Sequence, residues 1–188
     1  MNEVSNPGVG SLPLLVTERL ILRSWSEADR SHFATMNADP EVMHHFPATL
    51  SPRESDETMD RIVDGWTRGF GLWAVERRDS DEFIGFVGFS QPGWEAHFTP
   101  CVEIGWRLTR DSWNKGFATE GARAVIEWGC QNVEFPQNEL VSFTTANNFA
   151  SRRVMEKLGM AHSDEDDFDH PLLPDWEGRR HVLYRLKF

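Results

Sequence analysis

Between residues 102 and 129 the hydrophobic period of the chain changes from two to 3.6 across a short glycine-bearing turn. Val102-Glu103-Ile104-Gly105-Trp106-Arg107-Leu108 reads as a strand, and Ala118, Ala122, Val125, Ile126 and Gly129 mark the apolar stripe of a helix lying on a sheet. Trp113-Asn114-Lys115-Gly116-Phe117 joins them. A strand that feeds a sheet-covering helix through a tight turn commits the chain to a layered α/β arrangement. The turn also has chemistry of its own. The first N–H groups of a helix have no partner inside it, and the helix dipole adds to their attraction for anions. Lys115 brings a positive charge to the same place. The expectation is a site for a phosphate-bearing cofactor. Lys115 precedes Gly116, and no Gly-Lys-[Ser/Thr] follows, so this is not a phosphate loop of the NTPase kind. No Gly-x-Gly-x-x-Gly stands between a strand and a helix, which argues against a dinucleotide fold.

The rest of the chain supports one mixed α/β domain of 188 residues. Residues 1–13, rich in Gly, Pro, Ser and Asn, read as a loose tail. Residues 14–25 read as a strand, with Leu20 and Leu22 alternating against Arg19, Ile21 and Arg23. Ser26 is placed as the N-cap of a helix running to about Asn37. Ser51-Pro52 opens a second helix, with Glu54, Asp56 and Glu57 near its positive end. Strands are expected over 72–77, 83–89, 101–109, 140–145 and 181–188, and a short helix over Ala150, Val154 and Leu158, stopped by Gly159. Residues 164–180 read as a long loop of the functional or mobile kind.

A formal net charge of −11 repels nucleic-acid phosphates and favours cationic partners such as amines. No run approaches the roughly 18 apolar residues of a membrane span, and the N-terminus has no signal-peptide pattern. Cys101 and Cys130 have no metal-ligand spacing. The expectation is a cytoplasmic protein that binds neither nucleic acid nor membrane and holds no metal.

Three groups of residues, in order along the chain, carry a resemblance. Trp113-x-x-Gly116-x-Ala118 is similar to the [Arg/Gln]-x-x-Gly-x-[Gly/Ala] coenzyme A motif of the GNAT superfamily of N-acetyltransferases, with Trp where Arg or Gln is usual. Asn148-x-x-Ser151-x-x-Val154-x-Glu156-Lys157-Leu158-Gly159 resembles that superfamily's motif on its fifth strand and fourth helix. Thr17-Glu18-Arg19-Leu20-Ile21-Leu22-Arg23 resembles the opening strand of the RimJ/RimL branch, the ribosomal-protein alanine N-acetyltransferases.

The resemblance implies a fold and a co-substrate. The fold is a mixed sheet of about seven strands with flanking helices, an α+β form of the α/β class, whose fourth and fifth strands splay apart. Acetyl-CoA would lie in the gap. Its pantetheine arm would pair with the backbone at Leu108 and Thr109, and its pyrophosphate would rest on the N–H groups of Lys115, Gly116, Phe117 and Ala118. Asn148 would both cap the fourth helix and reach the coenzyme A arm. Arg152 and Arg110 are candidates to neutralise phosphates. The implied reaction is direct attack of a primary amine, on a small molecule or at a protein N-terminus, on the thioester carbon. The resemblance leaves room for a homodimer. A non-catalytic acyl-CoA sensor or interaction module on the same fold is the alternative.

Such a reaction needs proton acceptors and donors. Glu103 is the leading base, because it points to the opposite strand face from Val102 and Ile104, beside the expected thioester. The acids over 164–167, or His170, are the alternatives. Many relatives carry a Tyr four residues before the Gly that closes the fourth helix; here that position is Met155, and Tyr184 is the single tyrosine of the chain. Ser151 is the substitute acid, as the RimL-like branch suggests, with an ordered water as the other choice. His44 and His45 fall where the family builds its acceptor pocket.

Overall fold

The computed structural model describes residues 13–188, so all but the last residue of the expected tail over 1–13 lies outside the described residues. The chain runs β1 (Leu15–Val16), β2 (Leu20–Arg23), α1 (Asp29–Ala38), α2 (Pro52–Gly65), β3 (Leu72–Arg77), β4 (Phe83–Ser90), β5 (Val102–Leu108), α3 (Phe117–Asn132), β6 (Glu139–Thr145), α4 (Phe149–Lys157), β7 (Ala161–His162), β8 (Phe168–Asp169) and β9 (Arg180–Lys187). The strands form one sheet in the order β1-β2-β3-β4-β5-β6-β9-β7, and β8 also pairs with β9. The expected fourth and fifth strands are β5 and β6, the one parallel pair among the described strands.

The described residues hold nine strands where about seven were expected, for two local reasons. The run over 14–25 is not one strand. Thr17 Oγ1 accepts the Leu20 N–H at 2.9 Å, and the Thr17 N–H donates to the Leu20 carbonyl at 2.9 Å. The chain therefore doubles back, pairing Leu15 with Leu22 and Val16 with Ile21. The stretch over 164–180 is not all loop either. Phe168 and Asp169 pair with His181 and Arg180, and the neighbouring β7 pairs with Tyr184 and Arg185. Two short strands thus cover an otherwise open edge of β9. Two-residue strands are too short to show a period.

Helix starts follow their caps. Ser51 and Glu54 form a reciprocal capping box at α2. Ser26 does not cap α1, which begins at Asp29. Instead the buried Asp29 carboxylate accepts the Ser26 N–H and hydroxyl at 2.8 and 3.0 Å and a two-pronged pair from Arg23.

The sheet is covered on both faces. Leu20, Trp73, Ile84, Phe89 and Ile104 point to the side packed by α3 and α4. Phe33, Met36, Met59, Ala74 and Phe86 pack α1 and α2 on the other. The middle strand β4 is buried from Phe83 to Phe89, as a strand sandwiched between helix layers must be. A third apolar group, Phe98, Cys101, Val141, Phe168 and Leu183, lies across β6 and β9. No helix among the described residues is long and apolar enough to cross a membrane.

What positions the site is the parting of β5 and β6. These strands share only two register pairs, Val102 with Leu140 and Glu103 with Val141. On its other side β5 is registered with β4 from Ser90–Glu103 through Gly85–Leu108, and β6 is registered with β9 along its whole length. Each strand follows its antiparallel partner, and beyond Glu103 the two diverge. Helix α3 sits close over β4: a Cβ at Gly129 would lie 2.6 Å from the Phe89 ring. Gly129→Ala is therefore expected to destabilise the fold by roughly 1–3 kcal/mol through overpacking. Gly65→Ala, with nothing within 4 Å of the added carbon, is expected to be neutral or mildly stabilising. Chemical denaturation of the two variants measures the contrast.

Candidate active site

The divergence of β5 and β6 opens a cleft of about 700 Å³ through the sheet. One end is formed by the start of α3. Asn114 and Gly116 both hold left-handed backbone, at φ 59° and 83°. This lifts the turn so that the helix begins abruptly at Phe117, with no side chain capping it. The first intrahelical bond runs from the Glu120 N–H to the Gly116 carbonyl at 3.0 Å, which leaves the amides of Phe117, Ala118 and Thr119 free of intrahelical partners. Gly116, Phe117 and Ala118 line the cleft, whereas Lys115 does not. The Lys115 carbonyl instead accepts Arg19 Nη1 at 2.9 Å. Arg19 and Thr17 also hold the Glu120 carboxylate, at 2.6 Å each, and so bolt the β1–β2 turn to the first turn of α3. Burial alone would raise the Glu120 pKa, but the Thr17 hydroxyl and the Arg19 amide and guanidinium hold it below the usual value.

Along β5 the hydrogen-bond alternation decides which backbone groups face the gap. The Thr109 N–H donates to the Ile84 carbonyl at 2.8 Å, so Thr109 is turned toward β4 and is not available to a cofactor arm. The backbone of Trp106 and Leu108 points the other way, into the gap. The Leu108 carbonyl is already taken by Trp113 Nε1 at 2.9 Å. This gives the unusual Trp113 a job: it ties the turn at Gly116 to the end of the strand.

The second wall is α4. The Asn148 Oδ1 accepts the Ser151 N–H at 3.1 Å, and its Nδ2 donates to Thr144 Oγ1 at 2.8 Å. Asn148 is thus a helix cap that also lines the cleft. The Ser151 hydroxyl lines the cleft and has no protein partner among the described residues. Arg152 is a correction: its guanidinium turns away to Tyr184 Oη at 3.2 Å and the Ala146 carbonyl at 2.9 Å. Arg153 and Lys157 line the cleft in its place. Their spacing from Ala150 and Val154, which also line it, is the i, i+3, i+4, i+7 signal that would have found them. Met155 forms buried wall, and Tyr184 stacks on His162 outside the cleft.

Glu103 is the carboxylate deepest in the opening. It lies at the last register pair before the strands part, on the sheet face that carries α1 and α2. Burial pushes its pKa up to about 7, against the opposing hydrogen bond from Ser90 Oγ at 2.9 Å. Half-ionised at neutral pH, it can accept a proton and release it. The acids over 164–167 are not in the cleft. Asp166 is paired with Arg185, and Asp167 bonds His162 at 2.8 Å. His162, Asp164 and Asp167 bring three ligand-type atoms within 4.8 Å of one another at that outer edge.

The cleft is also lined by groups that sequence reading reached only partly. His45 lines the cleft and bonds Thr145 Oγ1 at 3.0 Å; burial and then His44 depress its pKa. His170 also lines it and is likewise depressed by burial. His181 was not foreseen. Its Nδ1 donates to the Arg179 carbonyl at 2.7 Å, which leaves Nε2 as the acceptor nitrogen of a neutral ring. Arg107 was not foreseen either. It lies two residues beyond Gly105 on the same strand face as Glu103, and its Nη1 donates to Asn37 Oδ1 at 2.6 Å.

The raised Glu103 pKa has a stability consequence. The folded state holds this proton more tightly than the unfolded chain, so its contribution is complete below about pH 4.5 and disappears as pH rises through about 7. Glu103→Gln removes the dependence. Between pH 5 and 8 the stability of the variant relative to wild type is expected to improve by up to roughly 3 kcal/mol. Denaturation curves at both pH values check this, and an unchanged difference would mean that Glu103 titrates normally.

Comparison with known proteins agrees with this geometry. Residues 19–161 match the family described as acetyltransferase (GNAT) domain. The chain is 30% identical to the N-acetyltransferase YoaA of Bacillus subtilis over 153 residues, covering 78% of this chain and 82% of YoaA. An acetyltransferase structure from Agrobacterium tumefaciens superimposes with a TM-score of 0.73 at 25% identity, covering 95% of this chain and 96% of that one. RimL, a ribosomal-protein α-N-acetyltransferase solved with coenzyme A, superimposes with a TM-score of 0.73 over 94% of this chain and 98% of its own; at 13% identity that likeness is one of fold.

Proposed function

The chain belongs to the GNAT acetyltransferase family, and from that premise we propose that it transfers the acetyl group of acetyl-CoA to a primary amine by direct attack on the thioester. The observation that carries the reading is the convergence of three things on one cleft: an uncapped helix N-terminus, a half-open sheet edge and a carboxylate with pKa about 7.

Acetyl-CoA supplies the activated acetyl group. The free amides of Phe117 and Ala118, with the left-handed turn at Gly116, suit a pyrophosphate, and Arg153 and Lys157 add positive charge along the same wall. The Trp106 backbone and the Leu108 N–H offer the pantetheine amides the partners that a neighbouring strand would. An amine reaches the cleft protonated; Glu103, directly or through a water, takes that proton. The nitrogen lone pair then forms the C–N bond while the carbonyl electron pair moves to oxygen. As that tetrahedral centre collapses the C–S bond breaks, and the second amine proton passes to water. The sulfur leaves as thiolate or takes a proton from the Ser151 hydroxyl or water. Both Glu103 and Ser151 line the cleft, which supports catalysis over a module that only binds acyl-CoA. The opening motif over residues 17–23 supports the RimJ/RimL branch, and two free cysteines suit a reducing cytoplasm.

An acetyl-CoA consumption screen over amines, polyamines, amino acids and peptides tests the reading directly. With a competent amine in hand, Glu103→Gln is expected to lose on the order of 10²-fold in rate. Ser151→Ala should lose roughly tenfold, about 1.4 kcal/mol of barrier. Full activity of Ser151→Ala between pH 6 and 9 would return that hydroxyl to a helix-surface role. Gly116→Val forces a β-branched residue into left-handed backbone, and the thermal shift produced by coenzyme A is expected to disappear. Retention of the shift would remove the turn from the cofactor site.

A further inference from the structure

Arg107 is half-buried, packed against Phe46, whose ring centroid is 4.1 Å from the guanidinium carbon, and against Phe86 at 5.4 Å. Its Nη1 has Asn37, a neutral partner. Its Nε is buried and has no acceptor among the described residues. Burial lowers its pKa to about 10 with no carboxylate acting against that shift. This is odd in a chain with 30 acidic and 19 basic residues. The half-buried Arg23 holds Asp29 and Glu76, and Arg185 holds Asp166 and Glu139. A guanidinium taken out of water without an anion is costly, and folding had acids to spare for it. The unpaired one lines the cleft.

Resting on the acetyltransferase reading above, we propose that Arg107 receives an anionic group of the acceptor, and that the acceptor is a small amine carrying a carboxylate. Glu103, Gly105 and Arg107 share one face of β5. The Cα atoms of Glu103 and Arg107 stand about 13 Å apart by strand rise. Gly105 between them has no side chain, and a Cβ there would meet only Glu103 Oε1, at 3.9 Å. The floor of the acceptor side is therefore open lengthwise. An amine near Glu103 can lie over Gly105 and extend its carboxylate toward Arg107, between walls formed by His45, Phe46, Phe143 and His170. With Nη1 committed to Asn37 and Nε closed off from solvent, Nη2 is the N–H group left to meet a carboxylate oxygen in a charge-assisted bond. A protein N-terminus extended along the same floor would place neutral peptide groups against the guanidinium. A phosphate monoester offers the same oxyanion chemistry and is distinguished by the assay.

The test is a KM comparison with the wild-type enzyme. The series runs from glycine to 6-aminohexanoate, with the common α-amino acids, the carboxamide of each, aminoalkyl phosphates, and short peptides with free N-termini and amidated C-termini. At the best chain length the acid is expected to have a KM at least tenfold below its amide, the size of one charge-assisted hydrogen-bonded pair. Arg107→Gln should raise the KM of the acid to that of the amide, and Arg107→Lys, which keeps the charge but loses the planar guanidinium held by Asn37, should fall between. The coenzyme A thermal shift of each variant reports that it is folded; were Arg107→Gln not to fold, the wild-type comparison and the Lys variant decide alone. Equal KM values for acids and amides would overturn this inference and leave the acetyltransferase reading standing. So would preference for a phosphate or for the amidated peptides, or discrimination that survives in Arg107→Gln. Absence of turnover with every amine, with coenzyme A still bound, would overturn both.

Discussion

Two register pairs join β5 to β6, and the rest of the molecule is arranged around the place where they stop. A parallel pair of strands would normally continue its ladder, because unpaired backbone in a sheet interior is costly. Here each strand has a full antiparallel partner on its outer side, so only the inner edges are left open. Those edges need hydrogen-bond partners, and an amide-bearing arm of a co-substrate can supply them. The cleft is therefore a built-in consequence of sheet pairing and not a hollow between packed side chains.

Helix α3 depends on the same geometry. It must start close to the end of β5 for its free amides to face the gap. Three contacts place it there: the left-handed turn at Gly116, the Trp113 indole on the Leu108 carbonyl, and Thr17 with Arg19 on Glu120. The last of these explains why the opening segment matters to a site more than 90 residues away in sequence. Thr17 and Arg19 act as fasteners, and the Glu120 carboxylate they hold lies in the first turn of α3, where the dipole favours negative charge.

Electrostatics divide the cleft. The coenzyme side has open amides with Arg153 and Lys157. The acceptor side has Glu103 shifted to about 7, three histidines kept below their ordinary pKa by burial, and the unpaired Arg107. Groups suited to exchange protons thus stand on one side, and groups suited to hold phosphate on the other. An acyl transfer between a phosphate-bearing thioester and an amine requires that division.

Much of this was legible in the chain, and the limits have physical causes. Period located the four helices and the long strands among the described residues, and caps marked the starts of α2 and α4, because amphipathic periodicity and turn residues are local properties. The motif around Gly116 located one end of the cleft, and the isolated carboxylate in an apolar strand located Glu103. Local signals failed where partners far away in sequence decide the outcome. Thr109 faces β4 because of its bond to Ile84, Arg152 turns to Tyr184, and the acids over 164–167 are drawn to Arg185 and His162. The two-residue strands β7 and β8 exist only because β9 offers them an edge. Arg107 carries no local signal of its own; only the packing of Asn37, Phe46 and Phe86 around it leaves its charge without an acid partner among the described residues. Sequence alone determined the helices, the long strands and the family motifs, since these are written in short spacings. Tertiary structure decided which polar groups are spent on the protein and which remain for a ligand, since that depends on pairing between residues distant in the chain.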